Sequence, residues 1–157
     1  MSQLTMLILE LFTQIALLTF GTTAGADVET RDASPSANVL GDSAEAFQGY
    51  WMGTDPLNGS DHRRDFVTSD PTTVSMVGRD SFILICGTDQ GAATFEDGVA
   101  SGQNLATDNF LIKCFNTGTE ILLKARYELL ETNVMIETLT TQEGYFVMSS
   151  TFYRVSG

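Results

Sequence analysis

Gly49-Tyr50-Trp51 contains the only tryptophan of the chain and opens the first stretch that is typical of a β-strand. From Phe47 onward, short runs of β-branched and aromatic residues alternate with turn residues, which is typical of β-structure. The predicted strands cover residues 48–54, 62–68, 73–86, 92–99, 105–115, 120–130, 133–141 and 145–155. The third is either one strand bent at Gly78 or two strands joined there, because an isolated glycine often marks a bulge.

Short links between successive strands predict an antiparallel meander, and eight such strands can close into a small barrel. The sequence therefore predicts an all-β protein with an eight-stranded antiparallel barrel. Segment 120–130 is ambiguous, because its residues are also good helix formers. The tight turn Asn116-Thr117-Gly118 before it and the surrounding β-pattern favour a strand, whose shared face holds Ile121, Leu123, Ala125, Tyr127 and Leu129.

The amino terminus has the pattern of an export signal. Residues 4–20 are mostly apolar, and small residues ending in Ala24-Gly25-Ala26 follow them. The alternatives are a membrane anchor and an amphipathic core helix, but Glu10 and Gln14 disfavour a stable span. We therefore predict a signal peptide (1–26), a flexible leader (27–46) and a barrel domain (47–157), in a secreted or extracellular protein, periplasmic if bacterial.

Cys86 and Cys114 are the only cysteines, and an even count in an exported protein favours a disulfide bond. Two buried free thiols are the alternative. The bond would contribute about 3–4 kcal/mol by the chain-entropy estimate. Since both cysteines end strands that have one strand between them, the bond requires that residues 92–95 bend away or become irregular.

The stretch Gly49-x-Trp51 resembles the Gly-x-Trp that opens the first strand of calycin barrels, the superfamily of lipocalins and avidins. The resemblance implies that Trp51 packs at a closed barrel end against Arg154 of the last strand, which then pairs with the first. The alternative for Trp51 is an ordinary core aromatic. The sequence departs from lipocalins because no long helix follows the last predicted strand, and no avidin biotin-site pattern is present.

The chain is acidic, with a net charge of −12. Such a surface repels phosphate backbones and anionic lipid, so we expect neither nucleic acid nor anionic membrane as a partner, and no stable membrane span after signal cleavage. The charge is interpreted as a solubility feature, with a basic partner or a cationic ligand as the alternative.

The densest polar cluster is Asp61-His62-Arg63-Arg64-Asp65, where alternation places His62 and Arg64 on one face. We interpret it as a solvated strand edge; a general-base role for His62 is the alternative. No close ligand pair or calcium-loop spacing around Asp55 and Asp61 indicates a metal or other cofactor, and none is predicted. Asn58-Gly59-Ser60 is a candidate glycosylation acceptor on a predicted turn.

These patterns favour a secreted, non-enzymatic barrel that binds a small apolar or amphipathic ligand in its mouth. The candidate ligand-lining residues are Phe82, Leu84, Tyr127 and Phe152. The alternative is a secreted interaction module with a filled core that binds an extracellular protein. An enzyme is the third hypothesis and the least supported, because no nucleophile elbow or catalytic constellation is visible.

Overall fold

The structure is a computed structural model and describes residues 43–87 and 90–155, apart from the side chains of Ile83 and Leu84. The predicted signal peptide and all of the leader before Ser43 lie outside the described residues. Within these ranges, eight strands form one closed antiparallel barrel in sequence order, as predicted. The strands are β1 (Gly49–Thr54), β2 (Asp61–Thr68), β3 (Thr73–Asp80), β4 (Gly91–Ser101), β5 (Asn104–Cys114), β6 (Glu120–Glu131), β7 (Val134–Thr140) and β8 (Phe146–Arg154).

The barrel closes where β1 pairs with β8, with Trp51 opposite Arg154 and Gly53 opposite Phe152. Segment 120–130 is a strand, as predicted, and its buried residues alternate with exposed ones. Because successive strands are antiparallel, the barrel has two distinct ends. The Trp51 end is where β1 begins, and the His62 end is where β1 ends and β2 begins.

The prediction of a strand up to Cys86 is wrong. Strand β3 ends at Asp80, and a single helical turn, α1 (Ile83–Cys86), follows it. The Asp80 carboxylate accepts a hydrogen bond from the Phe82 backbone N–H (2.9 Å), and Phe82 has a positive φ of 42°. A bulky residue with positive φ is strained, so the turn at Asp80 directs the chain away from the sheet against a local preference for strand. No helix among the described residues has the length and apolar character to cross a membrane.

The predicted disulfide bond between Cys86 and Cys114 is present, with the two Cα atoms 5.5 Å apart. The expected irregularity at residues 92–95 is wrong, because β4 pairs regularly with both neighbours over residues 91–94. Cys86 lies on α1 rather than at a strand end. The disulfide bond to Cys114 therefore passes beside the first residue of β4 and does not require that β4 bend away. That residue is Gly91, where a Cβ atom would lie 3.3 Å from the Cys86 Sγ atom and 3.1 Å from the Phe82 ring.

Large side chains fill the barrel interior. The largest fully buried ones include Trp51, Arg64, Tyr127, Phe66, Phe82, Phe110 and Phe152. Several of the rings contact each other; for example, Phe66 and Tyr127 meet edge to face with centroids 5.2 Å apart. This is the packing of a protein core rather than of an open cup.

The Trp51 end is closed by the segment that precedes β1. A 3-10 turn (Ala44–Ala46) leads to Phe47, whose carbonyl accepts a hydrogen bond from the Trp51 indole N–H (2.9 Å). The Arg154 guanidinium lies 4.5 Å from the Trp51 ring centroid and donates to the carbonyls of Gln48 (2.8 Å) and Ala46. Arg154 therefore ties the entering chain to the last strand, and packed structure already begins before Phe47.

We predict that Arg154→Ala lowers the free energy of unfolding by about 1–3 kcal/mol, because it removes a cation–π contact and two hydrogen bonds to carbonyls. Urea denaturation measures this change. Lys113→Ala is the control, since its exposed pair with Glu120 contributes little. Equal stability of the two variants would show that the Trp51 end does not depend on Arg154.

Candidate functional site

Two ionisable side chains of strand β2 point into the barrel. His62, Arg64 and Phe66 point inward and are buried, while Asp61, Arg63 and Asp65 are exposed. The predicted sharing of faces is confirmed, but the interpretation of this cluster as a solvated edge is wrong for His62 and Arg64, which are 0% exposed. Two cationic-type side chains in a protein interior require buried partners.

Arg64 crosses the interior to Glu137 on β7. Its Nε atom donates to one carboxylate oxygen of Glu137 and an Nη atom donates to the other, both at 2.8 Å. The Tyr127 hydroxyl donates to the same carboxylate at 2.7 Å. This two-pronged geometry is the strongest arrangement that an arginine and a carboxylate can adopt.

Aromatic rings surround the guanidinium. The rings of Phe82, Phe110 and Phe152 have their centroids 5.6, 5.7 and 5.1 Å from the central carbon of Arg64. Gly78 on β3 provides the space, because a Cβ atom there would lie 2.9 Å from the Arg64 Cδ atom and 2.6 Å from the Arg63 carbonyl oxygen. Gly78 thus matters for the room it leaves to Arg64, not for a bend.

Asp80, at the end of β3, links Arg64 to His62. One of its carboxylate oxygens accepts a hydrogen bond from Arg64 (3.1 Å) and lies 3.1 Å from the His62 Nδ1 atom. On the other side of the imidazole, the Nε2 atom lies 3.3 Å from an Asp55 oxygen. Neither nitrogen of this fully buried ring has a hydrogen bond of acceptable geometry, although both are close to carboxylates. Asp55, His62 and Asp80 are called the His62 cluster below.

Local backbone structure holds Asp55 in place. Its carboxylate accepts hydrogen bonds from the Leu57 N–H (2.7 Å) and from the Ser81 hydroxyl (3.0 Å). Burial alone would raise the pKa of Asp55, but these two donors and nearby His62 lower it below its ordinary value. Asp55 is therefore a carboxylate at neutral pH.

Burial and neighbouring groups also have opposite effects on the pKa of Arg64. Burial disfavours the guanidinium, but Glu137, Tyr127 and Asp80 outweigh burial and raise the pKa of Arg64. Burial and then Glu137 raise the pKa of Tyr127 well above its ordinary value, so the phenol stays neutral. Three buried carboxyl groups (Asp55, Asp80, Glu137) thus lie in one network with the guanidinium of Arg64 and the imidazole of His62.

A surface pocket of about 300 Å³ opens beside this network at the His62 end. Its lining residues are Ser60, Asp61, Arg63, Arg79, Asp80, Ser81 and Gln90. Asp80 belongs to the His62 cluster, and Ser81 donates to Asp55, so the pocket touches the buried network directly. It is called the end pocket below.

The residues predicted to line a ligand cavity lie elsewhere. Phe82, Tyr127 and Phe152 are fully buried among the rings around Arg64, and the side chain of Leu84 is not described. None of these three described side chains lines the end pocket or the two other pockets described, at Ser43–Pro71 and at Ser69–Glu96. Asn58 lies in an exposed turn, where its side-chain amide donates to Ser81 (2.9 Å); its glycosylation stays a prediction.

Sequence reasoning missed Asp80 and Glu137. The two-residue alternation of side chains along a strand could have indicated them. Glu137 lies two residues from Met135 and two from Leu139, and all three are buried. Arg64 likewise lies two residues before the inward Phe66. A charged residue in phase with the apolar face of a strand indicates a buried ion pair in a barrel too small to hold much water.

The fold and site define a closed eight-stranded barrel with a filled, partly ionic interior. A solved structure described as a redesigned beta barrel is similar, with a TM-score of 0.53 and 14% identity over 73% of this chain and 96% of that one. This similarity concerns the fold alone. The chain matches no protein-family profile and no curated protein sequence.

We predict that Gly78→Ala lowers the free energy of unfolding by about 1–3 kcal/mol, because the added methyl group collides with Arg64 and with a backbone carbonyl. Val77→Thr, a change at the exposed neighbouring position, is the control and should stay within about 0.5 kcal/mol of the wild type. Thermal and urea unfolding measure both. A neutral Gly78→Ala would mean that Arg64 is not held against β3.

Proposed function

We propose that the protein is an exported, non-enzymatic binding barrel whose ligand site is the end pocket and whose ligand is a small hydrophilic cation. The observation that carries the proposal is that three buried carboxyl groups, Asp55, Asp80 and Glu137, outnumber the one buried arginine in the network that reaches this pocket at Asp80. Uncompensated negative charge in a low-dielectric interior attracts a cation strongly. Hydroxyl groups of Ser60 and Ser81 add hydrogen-bonding partners at the same place.

The ligand chemistry differs from the apolar or amphipathic class expected from the sequence. The interior positions that would hold an apolar molecule are occupied by the rings around Arg64. The end pocket has a mainly polar lining, with Asp80 on its inner side. The net charge of −12 also attracts cations at long range, although salt screens that effect.

Kinship with calycin barrels and export from the cell remain part of this proposal. The stacking of Arg154 on Trp51 and the pairing of β1 with β8 support the kinship. The apolar stretch at residues 4–20 and the small residues up to Ala26 support export.

The alternative function, an interaction module with a filled core, is favoured by an apolar strip on the outer surface. Met52 on β1 lies opposite Tyr153 on β8, and Tyr153 lies opposite Val134 on β7. Tyr153 is 59% exposed, and the neighbouring Tyr50 is also exposed. A protein partner with an apolar patch and basic surroundings would fit this strip and the acidic surface.

Native mass spectrometry of the untagged exported protein, with putrescine as a titrated probe, tests the first proposal. We predict that the wild type binds one small cation and that Ser81→Leu abolishes binding, because leucine fills the pocket and removes the hydrogen bond to Asp55. Ser101→Leu, an exposed position at the Trp51 end, is the matched control and should bind like the wild type.

Binding that survives Ser81→Leu would contradict the end-pocket site. An apolar molecule bound to the wild type would instead support a ligand site in the barrel interior. A wild type without any small-molecule binding would also contradict the proposal. A co-purified protein that is lost from Tyr153→Ser but not from Val77→Ser would instead support the interaction module.

A further inference from the structure

We infer that the His62 cluster is a binding site for one divalent transition-metal ion of the Zn²⁺ class. The inference rests on the proposed function, in that it names the kind of cation taken up at the His62 end. It follows from four features of the site: ligand spacing, unsatisfied nitrogens, the donor atoms and the positioning of the ligands by neighbours.

The first feature is the spacing. Asp55, His62 and Asp80 are all buried, and one candidate ligand atom from each lies within 4.8 Å of the others. Ligands on a tetrahedral zinc ion, with bonds of about 2.0–2.2 Å, lie about 3.3–3.6 Å from each other. An imidazole gives one nitrogen to one metal ion. The distance from the His62 Nδ1 atom to Asp80, 3.1 Å, is close to the tetrahedral value, so an ion bound at Nδ1 would also reach Asp80. Asp55 lies 3.3 Å from the other ring nitrogen, Nε2, and its side chain would rotate toward the ion to complete the site.

The second feature is the imidazole itself. Both ring nitrogens of His62 are buried and lack a hydrogen bond of acceptable geometry. A buried polar group without a partner costs free energy, and native structures rarely leave one so. A metal ion accepts the lone pair of one ring nitrogen without needing N–H alignment, so only the other nitrogen would then need a carboxylate as partner.

The third feature is the chemistry of the donor atoms. One imidazole and two carboxylates form a mixed nitrogen and oxygen set, which suits zinc and its neighbours better than calcium or magnesium.

The fourth feature is the support behind the ligands. The Ser81 hydroxyl and the Leu57 N–H orient Asp55, and Arg64 and the Phe82 N–H orient Asp80. Each carboxylate accepts two hydrogen bonds here, so lone pairs remain free for a metal. Such outer contacts fix metal ligands in place. Three protein ligands leave a fourth position for water or a small ligand, and Asp80 borders the end pocket from which it would enter.

Calorimetric titration of the chelator-treated, untagged exported protein with ZnSO4 tests the inference. We expect one equivalent to bind to the wild type and His62→Gln to weaken the affinity by more than about 10–100-fold, the loss caused by removing only an outer contact of a metal ligand. Glu128→Gln is the matched control: it removes an exposed carboxylate from β6, away from the end pocket, and should leave the affinity unchanged. Circular dichroism checks that each variant folds.

A second measurement needs no variant. His62 is the only histidine of the chain, so its imidazole ¹⁵N resonances in the wild type are assigned without ambiguity. One equivalent of ZnSO4 should shift them, and CoCl2 should produce visible absorption bands that saturate at the same ratio. Unmoved resonances, or equal affinity of wild type and His62→Gln, would overturn the inference.

The two proposals can fail separately. If zinc leaves the His62 resonances unchanged while putrescine still binds in a Ser81-dependent way, the metal site is refuted and the binding function stands. If neither cation binds, both are refuted.

Discussion

The ion pair between Arg64 and Glu137 is the interaction on which the rest of the interior depends. It joins β2 to β7, two strands that are not neighbours in the sheet, through the centre of the barrel. A buried charge pair is stable only if every donor and acceptor is satisfied. Tyr127 and Asp80 satisfy the remaining groups, three phenylalanine rings cover the guanidinium, and Gly78 leaves space for it.

This arrangement gives the two ends of the barrel different properties. At the Trp51 end, the stack of Arg154 on Trp51 and the hydrogen bonds to the entering chain make a closed, mostly apolar lid. At the His62 end, Asp80 extends the ionic interior to the rim, where α1 and the disulfide bond hold the connection from β3 to β4. The buried ionic groups therefore reach the rim at one end, while an arginine stacked on a tryptophan closes the other.

The strand series, the closure and the disulfide bond were predictable because each follows from local patterns. Alternation identifies strands, short links make neighbours antiparallel, and the number of strands permits closure. Helix α1 was missed because its sequence, Ile-Leu-Ile-Cys, favours a strand, whereas the hydrogen bond from Phe82 to Asp80 and the disulfide bond impose a turn. The ionic interior was missed because Arg64 and Glu137 are 73 residues apart. Strand alternation predicts that each side chain points inward, but it does not predict which residue each one contacts.

The central claim is that Arg64 and Glu137 stabilise the barrel only as a pair. A double-mutant cycle with Arg64→Met, Glu137→Leu and the combined variant, measured by urea unfolding, tests it most directly. We predict that each single change costs about 3–5 kcal/mol, because it leaves a buried charge without its partner. The combined variant should be at least as stable as either single one, which corresponds to a coupling of about 3 kcal/mol or more. Losses that add to within about 0.5 kcal/mol would contradict the claim, because they would mean that the two side chains do not meet inside the barrel.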